Sequence, residues 1–184
     1  MKDTDTRPWE WQPDLCPADQ DFIKYVITER TVDGLYKVGP YTYGQVLHMG
    51  TGNHHRVGYE LNKHDIDVIG LTLSPKEYAS YIVLVENDPK IQDTYLCLYG
   101  DINYLNFLTF KPFDLITCFH LCEIDTGADV DETVGYFVDA LTLDGKLVHY
   151  RNSANASQAR EIIQDYFIKE DEYASLDFYV PYDK

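Results

Sequence analysis

The chain has 184 residues and a formal net charge of −16, and 45% of its residues are hydrophobic. This composition excludes a disordered chain and is sufficient for one domain with a full hydrophobic core. The negative charge argues against nucleic acid as a partner, because it would repel a phosphate backbone. No apolar run is long enough to span a bilayer, and the N-terminus lacks the features of a signal peptide, so we expect a soluble, cytoplasmic protein.

The opening segment, residues 1–44, is predicted to be an appendage that leads into the core. It contains a possible helix from Asp21 to Arg30 and a turn-rich stretch from Thr31 to Pro40. In residues 45–184, apolar runs of strand length alternate with segments of helical period. That alternation is typical of βαβ units, and it predicts a single α/β domain with a mostly parallel central sheet and helices on both faces.

Six predicted strands in this domain are mostly apolar on both faces, as buried parallel strands are. They are Gln45–Met49, Ile66–Thr72, Thr94–Tyr99, Phe113–Phe119, Lys146–Tyr150 and Tyr173–Val180. Three apolar stripes at helical spacing are predicted to face the core. They consist of Tyr78, Ile82 and Val85; of Val130, Val134, Phe137, Val138 and Leu141; and of Ala159, Ile162, Ile163, Tyr166 and Phe167.

The first predicted strand runs into the turn Gly50-Thr51-Gly52 and then into a helix. Glycines let such a turn be tight and let the main chain lie against a ligand, so we expect small-molecule binding here. The dinucleotide fingerprint would need a third glycine where His55 stands and an acid in place of Thr72. The Lys-Ser/Thr pair of a phosphate loop is also absent, which leaves other nucleoside ligands.

Four segments in order resemble the class I S-adenosylmethionine-dependent methyltransferases, which have a Rossmann-like fold. The likeness extends from about Gln45 to Phe167, and the second segment is similar to the cyclopropane and mycolic acid synthase branch in its Gly-x-Thr-x-Ser ending. The four segments are Val46–Gly52, Val68–Pro75, Tyr99–Ile102 and Phe113–His120, and a fifth, Leu141–Leu147, resembles the turn before the family's fifth strand.

The resemblance implies S-adenosylmethionine as the cofactor and assigns residues to its parts. Gly50 and Gly52 would approach the methionine part, Thr72 and Leu73 would lie by the ribose and adenine, and Asp101 would accept a hydrogen bond from the adenine amino group. The other cofactor-binding candidates on the same strand ends are His48, Thr51, Ile102 and Phe119.

The chain also departs from the family pattern. His48 stands where an acid usually helps to hold the cofactor's amino group, and His54 replaces a small residue of the loop. Thr72 offers one hydroxyl where a carboxylate would accept from both ribose hydroxyls. One C-terminal strand of the family's seven is predicted to be missing, and the resulting open edge favours a homodimer or cover by the N-terminal segment.

The catalytic candidates are His120 and Glu123, which end the fourth predicted strand at the crevice, with His149 and Tyr150 ending the fifth. His120 has a reference pKa near neutrality, which suits a general base, and packing alone is the alternative. Glu123 is a base candidate, a site for a substrate amine, or a salt-bridge partner of Arg151 or Lys146.

No metal site is predicted. Cys118, His120 and Cys122 alternate along one strand. Three ligands on a single extended strand converge poorly on a tetrahedral ion, because Zn²⁺ sites usually draw on a turn and a second element.

The expected function is S-adenosylmethionine-dependent methylation of a small molecule. The acidic charge has two interpretations, a solvated surface or a preference for a cationic or zwitterionic substrate. Two alternatives remain. The chain is short and has little room for a separate substrate domain, which favours a cyclase or lyase that consumes the cofactor without a methyl acceptor. The departures at His48, His54 and Thr72 favour a non-catalytic binding protein on the same scaffold.

Overall fold

A computed structural model describes residues 17–27, 46–52, 55–64, 66–100, 112–119 and 130–182. Within these ranges the chain forms five α-helices, one 3-10 helix and seven strands. The helices are α1 (Pro17–Tyr25), α2 (Arg56–Asn62), α3 (Pro75–Asn87), α4 (Val130–Ala140) and α5 (Ala156–Tyr166), with the 3-10 helix at Pro89–Asp93. The strands are β1 (Val46–Met49), β2 (Val68–Thr72), β3 (Tyr95–Tyr99), β4 (Phe113–Thr117), β5 (Leu141–Tyr150), β6 (Phe167–Tyr173) and β7 (Leu176–Pro181).

The strands form one sheet in the order β3-β2-β1-β4-β5-β7-β6. The first five strands in this order are parallel to one another, and β7 runs antiparallel to both β5 and β6. The chain moves outward from β1 in one direction through β2 and β3, and in the other through β4 and β5. The sheet therefore has its topological switch point between β1 and β4, where open α/β sheets bind ligands.

The core lies in two layers, one on each face of the sheet. Alternate residues of each central strand point to opposite layers, so that Val46 packs with α1, α2 and α3 while Leu47 packs with α4 and α5. This arrangement explains why the parallel strands are apolar on both faces. The predicted single-domain α/β fold with a mostly parallel sheet and helices on both faces is confirmed.

The prediction that one C-terminal strand is missing was wrong, because β6 and β7 form an antiparallel hairpin at the end of the sheet. Two residues that the apolar spacing placed in helices instead begin strands: Leu141 begins β5, and Phe167, the C-cap of α5, begins β6. The next five residues of β6 are exposed and mostly charged. The strand lacks the apolar alternation by which a sequence reveals a strand.

The charged composition of β6 also suits its place at the rim of the sheet. Charged side chains on an edge strand discourage pairing with the edge of another chain. The expectation of a homodimer was based on a truncated sheet, so that particular reason for it no longer holds.

Two predicted helices differ in detail from the structure. In α3 the buried side chains are Tyr81 and Leu84, whereas Ile82, predicted to face the core, is 39% exposed. The helix α1 begins at Pro17, four residues before the predicted start, and its Phe22 is completely buried in the core layer that contains Val46. The division of the chain at residue 44 stays a prediction. No helix in the described ranges is long and apolar enough to cross a membrane.

Tyr179 on β7 presents a buried hydroxyl to the layer that contains α4 and α5. Its oxygen makes no hydrogen bond within the described part of the chain. Burial, reinforced by the negative charge of Asp177, raises the pKa of Tyr179 to about 12. Burial likewise raises the pKa of the Cys97 thiol to about 12.

We expect Tyr179→Phe to keep the free energy of unfolding at neutral pH or to raise it by up to about 1 kcal/mol, because it removes a buried hydroxyl without a partner. The folded-state pKa of about 12 lies above the ordinary value of 10.0, so stability present below pH 10 is lost as the pH rises toward 12. That alkaline loss should be smaller in Tyr179→Phe.

The measurement is urea unfolding at neutral and at alkaline pH, with Tyr99→Phe, a change in a side chain that is 53% exposed, as the matched control. A loss of more than about 1 kcal/mol at neutral pH in Tyr179→Phe would show that its hydroxyl makes a stabilising bond.

Candidate functional site

The turn after the central strand β1 exposes bare backbone at the switch point. Gly50 and Gly52 have φ values of 73° and 65°, which are in the left-handed region that favours glycine. The Gly50 amide donates to the Leu71 carbonyl at 2.9 Å, which ties the turn to the end of β2. A Cβ placed on Gly52 would meet no atom within 4 Å. The described residues thus leave open space beside this turn.

The His55 imidazole fixes the far end of the turn. Its Nε2 lies 2.7 Å from the Glu77 carbonyl oxygen and its Nδ1 lies 2.6 Å from the Tyr95 hydroxyl. Since a carbonyl only accepts, Nε2 carries the proton, and in the neutral imidazole Nδ1 accepts from Tyr95. Burial raises the pKa of Tyr95 well above its ordinary value, so its hydroxyl keeps the proton that it donates.

A carboxylate lies at the junction of β1 and β2, although no acid ends either strand. Glu77, in the first turn of α3, accepts a hydrogen bond from the Thr72 hydroxyl at 2.5 Å and a longer one from the Thr51 hydroxyl at 3.4 Å. Gly70 permits this arrangement, because a Cβ there would lie 2.6 Å from Cγ2 of Thr51. The negative charge that Thr72 does not supply is therefore provided five residues later in the chain.

Local sequence explains why Glu77 is held at this point. Ser74 caps α3, its hydroxyl accepts from the Glu77 amide at 3.3 Å, and Pro75 occupies the first helical turn. The Ser74 amide in turn donates to the Thr72 hydroxyl at 3.0 Å. The pattern Ser-Pro-Lys-Glu has the sequence of a capping box, in which a serine cap precedes an acid by three residues, but only the serine half of the motif forms here, since the Glu77 carboxylate bonds to Thr72 and Thr51 instead of the Ser74 amide. The serine and the acid at this spacing predict the start of α3, but they do not predict that the Glu77 carboxylate turns toward Thr72.

A second group of side chains meets between β1 and β4, on the other side of the glycine turn. The buried His48 places Nδ1 2.7 Å from the Thr117 hydroxyl and Nε2 3.9 Å from a carboxylate oxygen of Asp19. The Phe119 ring packs edge-on against both the His48 ring and Phe22 of α1. The helix α1 thus contributes an acid and an aromatic residue to the switch point.

Seven of the predicted cofactor-binding residues lie in the described ranges, at the carboxyl ends of β1, β2 and β4. They are His48, Gly50, Thr51, Gly52, Thr72, Leu73 and Phe119. Of these, His48, Thr51, Thr72 and Phe119 are buried, whereas Leu73 is 38% exposed. The roles assigned to these residues stay predictions.

The remaining predicted site residues, Asp101, Ile102, His120 and Glu123, lie outside the described residues. Two proposed partners of Glu123 make other ion pairs. Lys146 pairs with Glu170, and Arg151 pairs with Glu172 and Asp177.

Of the three alternating residues that could be metal ligands, the structure describes only Cys118. Cys118 is buried, and its Sγ lies 3.5 Å from the Val148 carbonyl oxygen. His120 and Cys122 lie outside the described residues. Within the described ranges no three His, Cys, Asp or Glu side chains are grouped as metal ligands.

Comparison with known proteins supports the fold. No family model matches the chain, and no curated protein matches its sequence. Solved structures do match. N-methyltransferase NodS from Bradyrhizobium japonicum, in complex with S-adenosyl-L-homocysteine, has a TM-score of 0.59 at 13% identity over 94% of this chain and 92% of that chain.

Two further structures match over most of their length. PH0226 protein from Pyrococcus horikoshii has a TM-score of 0.59 at 15% identity, over 88% of this chain and 92% of that chain. A TehB-like S-adenosylmethionine-dependent methyltransferase from Corynebacterium glutamicum has a TM-score of 0.54 at 19% identity, over 83% of this chain and 85% of that chain. The chain therefore has the Rossmann-like fold of the class I S-adenosylmethionine-dependent methyltransferases.

We expect Tyr95→Phe to lower the free energy of unfolding by about 1–3 kcal/mol, because it removes a buried hydrogen bond to His55. Urea unfolding monitored by circular dichroism measures this change. Tyr136→Phe, which removes an exposed hydroxyl on α4, should change stability by less than about 0.5 kcal/mol. Equal effects of the two substitutions would show that the His55 to Tyr95 bond does not hold the turn.

Proposed function

We propose that this protein binds S-adenosylmethionine and transfers its methyl group to a small molecule. The observation that carries the proposal is the glycine turn at the end of the central strand, where Gly50 and Gly52 have positive φ and Gly52 faces open space. The turn lies beside the switch point of a sheet with the methyltransferase fold. A ligand lying there would contact main chain rather than side chains.

The nucleoside end of the ligand is proposed to lie on the β2 side of the turn. Ribose presents two neighbouring hydroxyl donors, and the Glu77 carboxylate is an acceptor that Thr72 and Thr51 hold at the junction of β1 and β2. Charge-assisted hydrogen bonds of this kind are stronger than neutral ones. In this arrangement the exposed Leu73 lies beside the adenine.

Two expectations from the sequence remain part of the proposal. Asp101 accepts from the adenine amino group, and Ile102 lies next to it. The likeness to the cyclopropane and mycolic acid synthase branch is also kept as a proposal. It depends on the Gly-x-Thr-x-Ser segment of Gly70, Thr72 and Ser74, which ends β2 and caps α3.

In the proposed reaction a lone pair of the acceptor attacks the methyl carbon of the sulfonium. The bond from carbon to sulfur breaks, and the neutral thioether leaves with both electrons of that bond. An acceptor that carries a proton releases it to a base, for which His120 and Glu123 are the candidates. Orientation of the reactants is worth about 7–11 kcal/mol in favourable cases, and a general base contributes roughly two to four powers of ten in rate.

A cationic or zwitterionic amine is the acceptor class that best fits the chain. Its net charge of −16 favours the approach of positive ligands. One structural neighbour, NodS, is described as an N-methyltransferase.

Isothermal titration calorimetry with S-adenosylmethionine and S-adenosylhomocysteine tests the binding step, and we expect both to bind. Absence of binding for both would leave only a role as a scaffold. Incubation with S-adenosylmethionine alone tests the chemistry, because a methyltransferase should not consume it without an acceptor. Turnover without an acceptor would instead support a cyclase or lyase.

We expect Glu77→Gln to weaken S-adenosylhomocysteine binding by about ten- to a hundred-fold, because a neutral amide replaces the charged acceptor for ribose. The matched control is Glu86→Gln, an exposed change on the same helix that should leave the affinity unchanged. Equal affinity of Glu77→Gln and the wild type would remove Glu77 from the site.

Gly52→Leu and Asp101→Ala are each expected to weaken cofactor binding. Leucine at position 52 is strained by the positive φ and fills the open space beside the turn. The alanine at position 101 removes the proposed acceptor for adenine. Calorimetry on both variants is the measurement, and unchanged affinity in both would place the binding site elsewhere.

A further inference from the structure

Two contacts hold the helix α1 against the sheet, one at the end of β4 and one at the turn between β6 and β7. Phe22 is completely buried, and its ring centroid lies 5.8 Å from that of Phe119 at the end of β4. Asp21 accepts a hydrogen bond from the Ser175 amide at 3.2 Å and contacts the Ser175 hydroxyl, which ties the helix to the turn between β6 and β7. These two contacts therefore fix the position of α1 beside the carboxyl end of β4.

Asp19 lies three residues before Phe22, and residues at that spacing share one face of a helix. Its carboxylate oxygen lies 3.9 Å from Nε2 of His48, and the Asp19 side chain is 15% exposed. His48 is two residues before Gly50 in the chain. Asp19 therefore places a partly exposed negative charge on the β4 side of the glycine turn.

The proposed ligand also has an amino-acid end, whose ammonium group has three donors and requires an acceptor. In the described part of the chain, Glu77 and Asp19 lie on opposite sides of β1. Asp177 lies on the opposite face of the sheet, because its neighbours Leu176 and Phe178 pack in the layer that contains Val46. There it lies 2.8 Å from Nζ of Lys169 and 3.4 Å from Nε of Arg151. A ligand whose ribose lies at Glu77 extends over the turn toward Asp19.

We propose that Asp19 is the carboxylate that binds the ammonium group of the ligand's amino-acid end. This assignment rests on the proposed function and identifies the residue for one end of the same ligand. It makes α1, which the sequence assigned to an appendage, a part of the binding site. His48, which bonds to Thr117 and approaches Asp19, then adjoins the acceptor for the ammonium group.

The test compares two ligands on the wild type and on Asp19→Asn. S-adenosylhomocysteine contains the amino-acid end, and methylthioadenosine is a related nucleoside thioether that lacks it. We expect Asp19→Asn to weaken S-adenosylhomocysteine by about ten- to a hundred-fold and to leave methylthioadenosine unchanged. The matched control, Asp21→Asn, keeps an acceptor oxygen for Ser175 and should leave both affinities unchanged.

Equal weakening of both ligands in Asp19→Asn would assign the carboxylate a structural role and overturn the inference, as would an unchanged affinity for S-adenosylhomocysteine. A wild type that binds neither ligand would contradict the proposed function itself. A second measurement avoids the variant. The deaminated analogue of S-adenosylhomocysteine should bind the wild type about ten- to a hundred-fold more weakly than S-adenosylhomocysteine does, and equal affinities would overturn the inference.

Discussion

The hydrogen bonds of one buried imidazole hold the candidate site together. His55 lies at the start of α2 in a left-handed conformation, and its two ring nitrogens bond to β3 and to α3. The glycine turn is therefore fixed at both ends, by the Gly50 amide on β2 and by His55 on its other side. The hydrogen bond from His55 to the Glu77 carbonyl oxygen also fixes the backbone of Glu77. From there the Glu77 carboxylate accepts hydrogen bonds from Thr72 and Thr51. Because the network is buried, each of its hydrogen bonds contributes to the stability of the fold. A polar group left without a partner in the interior would lower the free energy of unfolding.

Much of the fold could be predicted from the sequence, and the exceptions have physical causes. The strands β1, β2 and β4 are buried on both faces, so they are apolar runs that a periodicity analysis finds. The edge strand β3 is exposed on one face but is also apolar. The edge strand β6 faces solvent, and its charged residues do not show the period of a strand. In α3 the predicted Tyr78 and Val85 pack against the core, but at the middle position Tyr81 rather than Ile82 is buried. One residue corresponds to about 100° of helix rotation, which is enough to turn a side chain outward.

The candidate site was predictable only where its residues are adjacent in sequence. Gly50 and Gly52 could be found because a strand, a turn and a helix follow one another in the chain. Glu77 and Asp19 could not be found in the same way, because they reach the strand ends from helices on either side of β1. A position-by-position comparison with the family pattern shows only that Thr72 and His48 stand where the pattern has acids. It does not show that acids from elsewhere occupy the neighbouring space, which requires the packing of α1 and α3.

The two departures from the family pattern therefore have the same structural form. At Thr72 and at His48 the strand provides a neutral hydroxyl or an imidazole, and a helix packed against that strand provides the carboxylate. In both places a carboxylate therefore lies beside the end of the strand, although the strand itself carries no acid there. A helix that supplies such an acid must be held firmly, because a shift of about 1 Å would weaken the contact. The buried Phe22 of α1 and the Ser74 cap of α3 hold the two helices in this way.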